Sequence, residues 1–474
     1  MSKTLLRQSL FTAEQILEVT GAVLIQRGSL EMREAVTDSR AAGPGSLFFP
    51  LPGSRTDGHL YLEDALSRGA AGFVAASSQS RRVEGSPLEL AKRSGAWGFF
   101  VADPLKALQD LAAYHLGRLK GVLRIGITGS NGKTTTKEIL GSILGQEGNA
   151  AVNEGNLNSE IGLPLAALRV REDHRYAVFE MGINHPGEMD LLAGMVRPEL
   201  ALITNIGSAH IGFLGSREAI AREKRKIFNA FSGREKAFLH EDEEFFDYLA
   251  AGARGKVIAF GPRTTPGYRW SETLGLDGTT VHWEGLQVRF PLFGAHNLVN
   301  ALAAVSVSVE LGINKNKIKM GLESVRPLFG RSQILKGPVT VLLDCYNSNP
   351  DSVAQVLDFM RALEWRGRKV AILGSMLELG EQEADGHRRT GRLAAHSGLD
   401  ALLLFGAEME PASETLKGEG FPGFSAWTDD FDTLRAWVRD LIRPGDLVLL
   451  KGSRGVELER LLPILQGSGG GVCC

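Results

Sequence analysis

The segment RIGITGSNGKTTTKE, residues 124–138, is the feature that most constrains the fold of this chain. Its first five residues predict a buried strand, Gly129–Gly132 predicts a tight loop, and Lys133 begins a helical pattern. Such a unit holds phosphate, because backbone N–H groups converge on the anion, Lys133 neutralises terminal charge and Thr134 can ligate magnesium. Ile127 replaces the first glycine of the usual GxxxxGK[ST] pattern. The alternative is a glycine turn with an incidental lysine, but strand, GK[ST] and helix follow each other in the right order. We therefore predict a nucleotide-binding loop formed by Gly129, Ser130, Asn131, Gly132, Lys133, Thr134 and Thr135.

The size and charge of the chain limit what else it can be. At 474 residues it is too long for one core, and chains of this length have about three domains. The formal net charge of −2 provides no general attraction to nucleic acid or to a membrane surface. Three cysteines, Cys345, Cys473 and Cys474, favour a reducing compartment over a disulfide framework or a zinc site. Because the sequence shows neither a signal peptide nor a long apolar run, we expect a cytoplasmic protein without a membrane segment.

The first unit, residues 1–104, has an α/β pattern. Two polar loops stand out in it, Asp38-Ser39-Arg40 and Thr56–His59, because they carry donors and a cation suited to a uridine or a phosphate. Solvated turns are the simpler interpretation of either loop. The predicted strands are Ala35–Arg40, Ser46–Pro50, Gly72–Ala75 and Trp97–Ala102, with a helix over Leu60–Ser67.

The middle unit, residues 105–330, repeats a buried strand that ends in chemically useful residues. The strand Tyr176–Phe179 leads into Glu180, and the apolar run Leu200–Ile206 leads into a loop with His210. Strand carboxyl ends share one edge of a parallel sheet, so both side chains should face the phosphate loop. An acid after such a strand is a typical magnesium anchor. A solvated strand end for Glu180 and a packing role for His210 are the alternatives.

Lys224 lies on an apolar helix face. In the predicted helix Ser216–Phe228, Ile220, Lys224 and Phe228 are spaced four residues apart. An inward lysine loses hydration and tends to lose its proton, and the neutral amine can react with CO₂ to give a carbamate, an extra anion for a site with two magnesium ions. From the residues alone, an ammonium that extends to water along an apolar surface is favoured.

Amide side chains are concentrated in two further segments of the middle unit. The loop Asn153–Asn158 is suited to contact a sugar or a peptide, although Asx-rich turns are common. Asn297 and Asn300 lie on one side of the first turn of a long helix. A plain helix N-cap is the competing interpretation of Asn297.

The third unit, residues 331–474, alternates short apolar strands with helices, which predicts a second open parallel sheet. Its strand ends also carry polar groups, in Asp344–Asn349, Met376–Glu378 and Lys451–Arg454. Two sheets with polar edges indicate a cleft between domains, in which closure brings two substrates together.

The motifs, taken in order, resemble the Mur ligase family, the ATP-dependent amide-forming enzymes of bacterial peptidoglycan precursor synthesis. The resemblance runs nearly end to end through VTDSR, DGH, TGSNGKTTTKE, GNLNSEIGLP, FEMG, NIGSAHIGFLGS, HNLVNALAA, DCYNSNPDS, LGSMLELG and KGSRG. It implies an α/β protein of three domains: a uridine-binding N-terminal domain, a central P-loop ATPase domain with a parallel sheet, and a C-terminal Rossmann-like domain.

The resemblance also assigns roles to individual residues. It implies that Lys133, His210 and Lys224 are catalytic, with Lys224 carbamylated, and that Thr134, Glu180, His210 and Lys224 surround two magnesium ions. Asn297, Asn300, Arg331 and Asp344 would join the phosphate loop in binding ATP. The implied substrate-binding residues are Asp38, Ser39, Arg40, Asn156, Asn158, Tyr346, Asn347, Asn349 and Arg454.

Within the family, the sequence favours the member that adds a dipeptide, since it lacks the DNPR-like segment of the enzyme that adds the third amino acid. The implied substrates are UDP-N-acetylmuramoyl-tripeptide and D-alanyl-D-alanine, and we expect a monomer. Departures from the family pattern are Cys345, Ser375, Ser159 and Lys226. The changes at Ser375 and Lys226 remove acids, which concerns substrate affinity more than reaction type. The alternatives are another Mur or folylpolyglutamate-type amide ligase, or a P-loop ATPase that is not a ligase.

Overall fold

The computed structural model describes residues 9–53, 56–79 and 87–467. Its first sheet has five strands in the order β1-β5-β4-β3-β2, of which β1 alone runs antiparallel to its neighbour. The strands are β1 (Val23–Gln26), β2 (Glu34–Val36), β3 (Ser46–Phe48), β4 (Gly72–Ala76) and β5 (Trp97–Val101). The helices are α1 (Ala13–Thr20), α2 (Leu62–Ser67), α3 (Pro87–Ser94) and α4 (Pro104–Arg118).

The second sheet is entirely parallel, in the order β11-β10-β9-β6-β8-β7. Its strands are β6 (Leu123–Thr128), β7 (Ala150–Val152), β8 (Tyr176–Glu180), β9 (Leu200–Ile203), β10 (Lys236–His240) and β11 (Lys256–Phe260). Because β6, β8 and β9 are neighbours, the loops that follow them meet at one edge of the sheet. The helices are α5 (Lys133–Gly145), α6 (Gly162–Ala167), α7 (Glu188–Val196), α8 (Ile211–Leu214), α9 (Arg217–Arg225), α10 (Phe246–Ala250), α11 (Ala295–Glu310) and α12 (Lys315–Ser324).

An antiparallel three-stranded sheet follows β11. It consists of β12 (Tyr268–Thr273), β13 (Thr279–Trp283) and β14 (Leu286–Phe290). Val281, Trp283, Val288 and Phe290 are buried and belong to the same apolar core as α5 and α11, so this sheet packs on the helical layer of the middle unit.

The third large sheet has six strands in the order β15-β16-β20-β17-β18-β19, and β15 alone is antiparallel to its neighbour. The strands are β15 (Gln333–Leu335), β16 (Thr340–Leu343), β17 (Lys369–Gly374), β18 (Ala401–Phe405), β19 (Phe424–Thr428) and β20 (Leu447–Lys451). The helices are α13 (Pro350–Ala362), α14 (Glu383–Ala395), α15 (Glu410–Gly418), α16 (Phe431–Leu441) and α17 (Leu462–Gln466). This mixed α/β architecture of three sheet-based units confirms the predicted fold class.

The helix α4 joins the first two units. It packs on α1 on one side and on α6 and α7 on the other. Leu108, Leu111 and Leu116 are buried in one continuous apolar cluster that includes Phe11 and Leu192. Since each fully buried leucine stabilises the fold by about 1.5–3 kcal/mol, α4 ties the two units into one body.

Two of the differences between the predicted and observed bounds of elements are the following. The strand predicted over Ala35–Arg40 ends at Val36, because the Asp38 carboxylate accepts the N–H of Arg40 and caps a 3₁₀ helix over Ser39–Ala41. The helix predicted over Ser216–Phe228 is α9 followed by a 3₁₀ turn from Lys226.

Of the three cysteines, the structure describes Cys345. Cys345 is buried as a free thiol beside Glu459, 3.5 Å from its carboxylate, and burial raises its pKa to about 12. Cys473 and Cys474 lie outside the described residues. Among the described helices, none is both long enough and apolar enough to cross a membrane.

Candidate active site

The phosphate loop requires glycine at two positions. Gly129 has φ of +148°, and a side chain there would place Cβ 1.8 Å from the Thr204 hydroxyl oxygen. Gly132 has φ of +79° as the N-cap of α5, and its Cβ would lie 2.3 Å from Oδ1 of Asn300. A Cβ contact below 3.0 Å forces a neighbour to move, so both glycines let the backbone approach the adjacent side chains.

The segment after β9 braces this loop before any ligand binds. The Ser130 N–H donates to the Asn205 carbonyl at 2.9 Å, and the Asn131 N–H donates to the Asn205 side chain at 3.0 Å. The Thr204 hydroxyl donates to the Asn131 carbonyl at 2.6 Å. The first N–H groups of α5 have no partner within the helix, so they remain available to phosphate oxygens.

Lys133 lies folded across the loop. Its Nζ donates to the carbonyls of Gly129 at 2.8 Å and Ser130 at 3.2 Å. Burial lowers the pKa of this ammonium, while the Glu180 carboxylate opposes that shift. Both acceptors are neutral carbonyl oxygens. A phosphate oxygen at this position would bind the Lys133 ammonium more strongly, because it is charged.

Glu180 ends β8 with 1% of its surface exposed. Its Oε1 accepts a hydrogen bond from Nδ2 of Asn158 at 2.8 Å, whereas its Oε2 has no hydrogen-bond partner among the described residues. Nζ of Lys137 lies 4.0 Å from Oε2 and donates to the Asn153 carbonyl at 2.6 Å. Our reading of the sequence missed Lys137, although it lies one helical turn after Lys133 and hence on the same face.

His210 is held by the third unit. It adopts the left-handed conformation at φ of +62°, and its Nδ1 lies 2.7 Å from Oε2 of Glu378. Burial lowers the pKa of the imidazole and the nearby Lys133 and Lys224 charges add to this, against the effect of Glu378. The sequence placed Glu378 at a polar strand end but gave it no partner, because the contact joins residues 168 positions apart.

Lys224 is buried, with 1% of its surface exposed, so the interpretation that its ammonium extends to water is wrong. Its Nζ donates to the Gly129 carbonyl at 2.9 Å, directly beneath the phosphate loop. Burial and the charge of Lys133 hold the pKa of Lys224 well below its usual value. The helix spacing predicted the direction of this side chain, and the loop packed over it prevents an escape to solvent.

A buried carboxylate fixes the helix that carries Lys224. Glu223 is 4% exposed and accepts the N–H groups of Gly187 at 2.8 Å and Met189 at 3.1 Å, at the start of α7. Nζ of Lys226 lies 2.8 Å from both Glu223 and Asp190. Lys226, a departure from the family pattern, thus supplies the counter-charge of a local network.

The third unit forms the opposite wall of the site. Asp344 follows β16 and accepts from Nζ of Lys451 at 2.9 Å and from the Ser332 N–H at 3.0 Å. Burial alone would raise the pKa of Asp344, but the Lys451 ammonium lowers it below the usual value. The Arg331 guanidinium lies 3.9 Å from the centre of the Tyr346 ring. The sequence placed Lys451 at a polar strand end but predicted no role for it.

These walls enclose a cleft of about 620 Å³. It brings together most of the predicted residues, which come from several separate segments of the middle and third units. The predicted residues that line it are Ser130, Asn131, Gly132, Lys133, Thr134, Thr135, Asn156, Asn158, Glu180, His210, Asn297, Asn300, Arg331, Asp344, Tyr346, Asn347 and Arg454.

Other predicted residues lie beside the cleft or away from it. Asn349 is buried as the N-cap of α13, and its Nδ2 donates to Oδ1 of Asn131 at 2.8 Å. Asn297 is not an N-cap, because Gly294 takes that position and Asn297 donates to the Phe293 carbonyl at 2.9 Å. The loop Asp38-Ser39-Arg40 does not line the cleft, and its Asp38 carboxylate pairs with the exposed Arg40 guanidinium at 2.7 Å.

His59, in the other polar loop of the first unit, has a structural role in this arrangement. It is 2% exposed, with Nδ1 2.7 Å from the Asp57 carboxylate. Its Nε2 accepts the N–H of Ala76 at 3.0 Å, so both ring nitrogens are occupied within the protein.

Comparison with known proteins identifies the family of this chain. Family models described as the Mur ligase family catalytic domain, the Mur ligase middle domain and the Mur ligase glutamate ligase domain match residues 34–115, 127–308 and 330–454. The chain belongs to the Mur ligase family.

Relatives of this Mur ligase align along nearly their whole length. A UDP-N-acetylmuramoyl-tripeptide–D-alanyl-D-alanine ligase of Treponema pallidum is 39% identical over 431 residues, which cover 90% of this chain and 93% of the relative. A crystal structure of MurF from Acinetobacter baumannii superposes with a TM-score of 0.85 at 30% identity, covering 96% of this chain and 98% of that chain. MurF from Thermotoga maritima in complex with ADP superposes at 0.76 with 27% identity, covering 92% and 97%.

Proposed function

We propose that this Mur ligase joins D-alanyl-D-alanine to UDP-N-acetylmuramoyl-tripeptide in peptidoglycan synthesis, with conversion of ATP to ADP and phosphate. The observation that carries the proposal is the shared cleft: the phosphate loop and Glu180 face Arg331, Asp344 and Lys451 of the third unit across it. Relatives named UDP-N-acetylmuramoyl-tripeptide–D-alanyl-D-alanine ligase match the chain over nine tenths of its length. ATP and an amine held in this cleft would meet at the substrate carboxylate.

The chemistry follows from charge. A carboxylate is a poor electrophile and is repelled by ATP, so the site must neutralise the γ-phosphate and align the reacting oxygens. Lys133 and the N–H groups at the start of α5 provide this on the nucleotide side. The substrate carboxylate oxygen forms a bond to the γ-phosphorus as the bond to ADP breaks, which gives an acyl phosphate. The dipeptide amine then adds to the carbonyl carbon, phosphate leaves, and the nitrogen loses a proton.

The residues around Glu180 suit magnesium. An ionised carboxylate oxygen buried without a hydrogen-bond partner is costly, and a hard cation relieves that cost. The Thr134 hydroxyl is also buried beside the loop. Among the described residues, no three His, Cys, Asp or Glu side chains cluster closely enough to hold a metal alone. Magnesium bound there would neutralise charge on the β- and γ-phosphates.

We further propose that Lys224 is carbamylated and that two magnesium ions bind. Burial and the charge of Lys133 lower the pKa of Lys224, which favours the neutral amine that attack on CO₂ requires. A bond forms between Nζ and carbon, a proton is released, and the lysine becomes an anion. This anion beside Gly129 would balance a second cation near His210.

The remaining assignments are proposals of the same kind. We assign residues 1–104 to the uridine nucleotide, with Asp38, Ser39 and Arg40 on the uridine side, residues 105–330 to ATP, and residues 331–474 to ATP and the amine. Tyr346, Asn347, Asn349 and Arg454 would contact the dipeptide, and Asn156 and Asn158 the sugar or peptide of the nucleotide substrate. We expect a cytoplasmic monomer.

A product assay tests the reaction. Purified protein with ATP and UDP-N-acetylmuramoyl-tripeptide should release ADP and phosphate and form the pentapeptide product when D-alanyl-D-alanine is present. Oxygen-18 in the substrate carboxylate should appear in the released phosphate, because that oxygen bridges carbon and phosphorus in the acyl phosphate. Release of AMP and pyrophosphate would show that the acid is activated in another way and would overturn the proposal.

A further inference from the structure

The first turn of α13 is where the third unit contacts the phosphate loop. Asn349, its N-cap, accepts the Ser352 N–H with Oδ1 at 2.9 Å and donates from Nδ2 to Oδ1 of Asn131 at 2.8 Å. One side chain therefore both starts the helix and contacts the nucleotide-binding loop. The position of α13 is thereby linked to the shape of that loop.

Asp351, two residues further along, makes a second contact with the middle unit. Its Oδ2 accepts both the N–H of Ser208 at 2.9 Å and the Ser208 hydroxyl at 2.8 Å. Its Oδ1 accepts from the Arg389 guanidinium of α14 at 3.2 Å. A carboxylate in the first turn of a helix also interacts favourably with the helix dipole. The carboxylate thus bridges the two walls of the cleft.

Gly207 shows how closely the two units approach. Its N–H donates to the Ser130 hydroxyl at 2.8 Å, so it contacts the phosphate loop directly. A Cβ at this position would lie 2.8 Å from Oδ2 of Asp351 and 3.4 Å from Cβ of Ser130. A methyl group there would therefore displace the Asp351 carboxylate from the position that it has when the third unit is docked as in this structure.

We propose that Asp351 is a positioning residue that holds the third unit closed over the phosphate loop. Its carboxylate fixes the loop of residues 204–208, and the same loop braces Ser130 and Asn131. Closure of the cleft and the shape of the phosphate-binding backbone are therefore set together. This proposal rests on the proposed function, in which an acyl phosphate must be shielded from water until the amine attacks.

Substitution of Asp351 in the full chain tests this role. Asp351→Ala should lower kcat/KM for D-alanyl-D-alanine by about ten- to a hundredfold, since it removes the two hydrogen bonds from Ser208 that join the units. The ratio of ADP released to amide formed should rise severalfold, because an open cleft admits water to the acyl phosphate. Asp351→Asn keeps a hydrogen-bond acceptor, so its kcat/KM and its ratio of ADP to amide should lie between those of the wild type and Asp351→Ala. The matched control is Asp358→Ala, whose carboxylate lies exposed on the same helix beside Arg361.

A purely structural role for Asp351 would lower kcat without changing the ratio of ADP to amide. That outcome, or equal behaviour of Asp351→Ala and Asp358→Ala, would overturn the proposal. Gly207→Ala provides an independent test, because its methyl group obstructs docking only while the Asp351 carboxylate is present. Gly207→Ala should reduce kcat/KM in the wild-type background and should have a much smaller effect in the Asp351→Ala background. Equal fold effects in both backgrounds would contradict the contact.

Scattering separates this proposal from the proposed function. If the wild-type protein forms no amide, the proposed function fails, and the contact can still be judged by small-angle X-ray scattering with a non-hydrolysable ATP analogue. The Asp351→Ala and Gly207→Ala variants should then have a larger radius of gyration than the wild type and Asp358→Ala. Identical radii would overturn the role of Asp351 in closure.

Discussion

The carboxylate of Glu180 has one oxygen engaged by Asn158 and one without a hydrogen-bond partner among the described residues. A buried ionised oxygen of this kind costs the folded protein free energy unless a ligand binds to it. Its position beside Lys133 and the start of α5 places that cost where nucleotide phosphates would gather cations. The Glu180 carboxylate should therefore be more stable with a cation bound than in the free protein.

Replacing this carboxylate should therefore affect metal dependence. Glu180→Gln should lower kcat by at least about a hundredfold and raise the magnesium concentration needed for half-maximal activity, because an amide is a weaker ligand and carries no charge. Magnesium titrations of ADP release measure both quantities, and chelation of magnesium should abolish activity in the wild type. Glu138→Gln is the control, since Glu138 pairs with the same Lys137 but does not line the cleft. An unchanged magnesium requirement in Glu180→Gln would exclude Glu180 as a ligand.

The lowered pKa of Lys224 makes stability depend on pH. Between that lowered value and the usual 10.5, the unfolded chain holds a proton that folded Lys224 does not. The free energy of unfolding is therefore not reduced by Lys224 above pH 10.5, and it falls as the pH drops from 10.5 toward the pKa of Lys224 in the folded protein. At neutral pH the wild-type lysine destabilises the fold.

Lys224→Met should consequently raise the free energy of unfolding at about pH 7.5, and this gain should shrink by up to about 1.4 kcal/mol per pH unit as the pH rises. Urea unfolding in CO₂-free buffer at several pH values measures the difference. Lys226→Met is the control: the pKa of Lys226 is raised by its hydrogen bonds to Asp190 and Glu223, so its contribution stays constant below pH 10.5. A pH-independent gain in Lys224→Met would show that the folded lysine is protonated.

At the residue scale, the sequence predicted the direction of Lys224 but not its burial. The spacing of Ile220, Lys224 and Phe228 defines a helix face, yet what covers that face depends on Gly129, 95 residues earlier. Lys137 was predictable in principle, since it follows Lys133 by one helical turn. Lys451 and Glu378 were not, because their partners come from distant segments.

At the scale of elements, α9 is anchored to the start of α7 by Glu223. Glu223→Gln should lower the free energy of unfolding by about 2 kcal/mol, because a buried charged acceptor of two backbone N–H groups becomes neutral. It should also reduce activity, since α9 carries Lys224. Chemical denaturation compares it with Asp190→Asn, an exposed partner in the same network whose loss should cost less than about 0.5 kcal/mol. Equal losses in the two variants would show that the network acts only at the surface.

Elements with strong local signals were predicted well and others were missed. The parallel strands β6, β8 and β9 are apolar on both faces and are therefore easily recognised. The strand predicted over Ala35–Arg40 was too long because Asp38 caps a turn within it. The antiparallel strands β12 to β14 were not predicted, since β12 is mostly exposed and contributes little apolar pattern.

For the whole molecule, α4 makes the first two units a single body. Leu111→Ala should lower the free energy of unfolding by about 2–5 kcal/mol, because Leu111 is fully buried between them. Hydrogen exchange followed by mass spectrometry should then show faster exchange in both β4–β5 and β6–β9, with less change in β17 and β20. Faster exchange confined to the first sheet would show that the two units unfold separately.

The placement of the third unit against the middle unit could not be predicted from the sequence. Polar strand ends predicted a cleft, but which ones meet depends on how the two sheets are placed. The contacts of His210 with Glu378 and of Ser208 with Asp351 span 168 and 143 residues. Local patterns carry no information on such pairs.

The cleft has one wall from the middle unit and one from the third, and this has a consequence for inhibitor design. A compound that binds only the phosphate loop makes no contact with the third unit, so docking affects its affinity only through the shape of that loop. A compound that also contacts Arg331 or Lys451 binds the docked form selectively and stabilises it. The difference in its affinity for the wild type and for a variant with weakened docking would then measure the energy of closure directly.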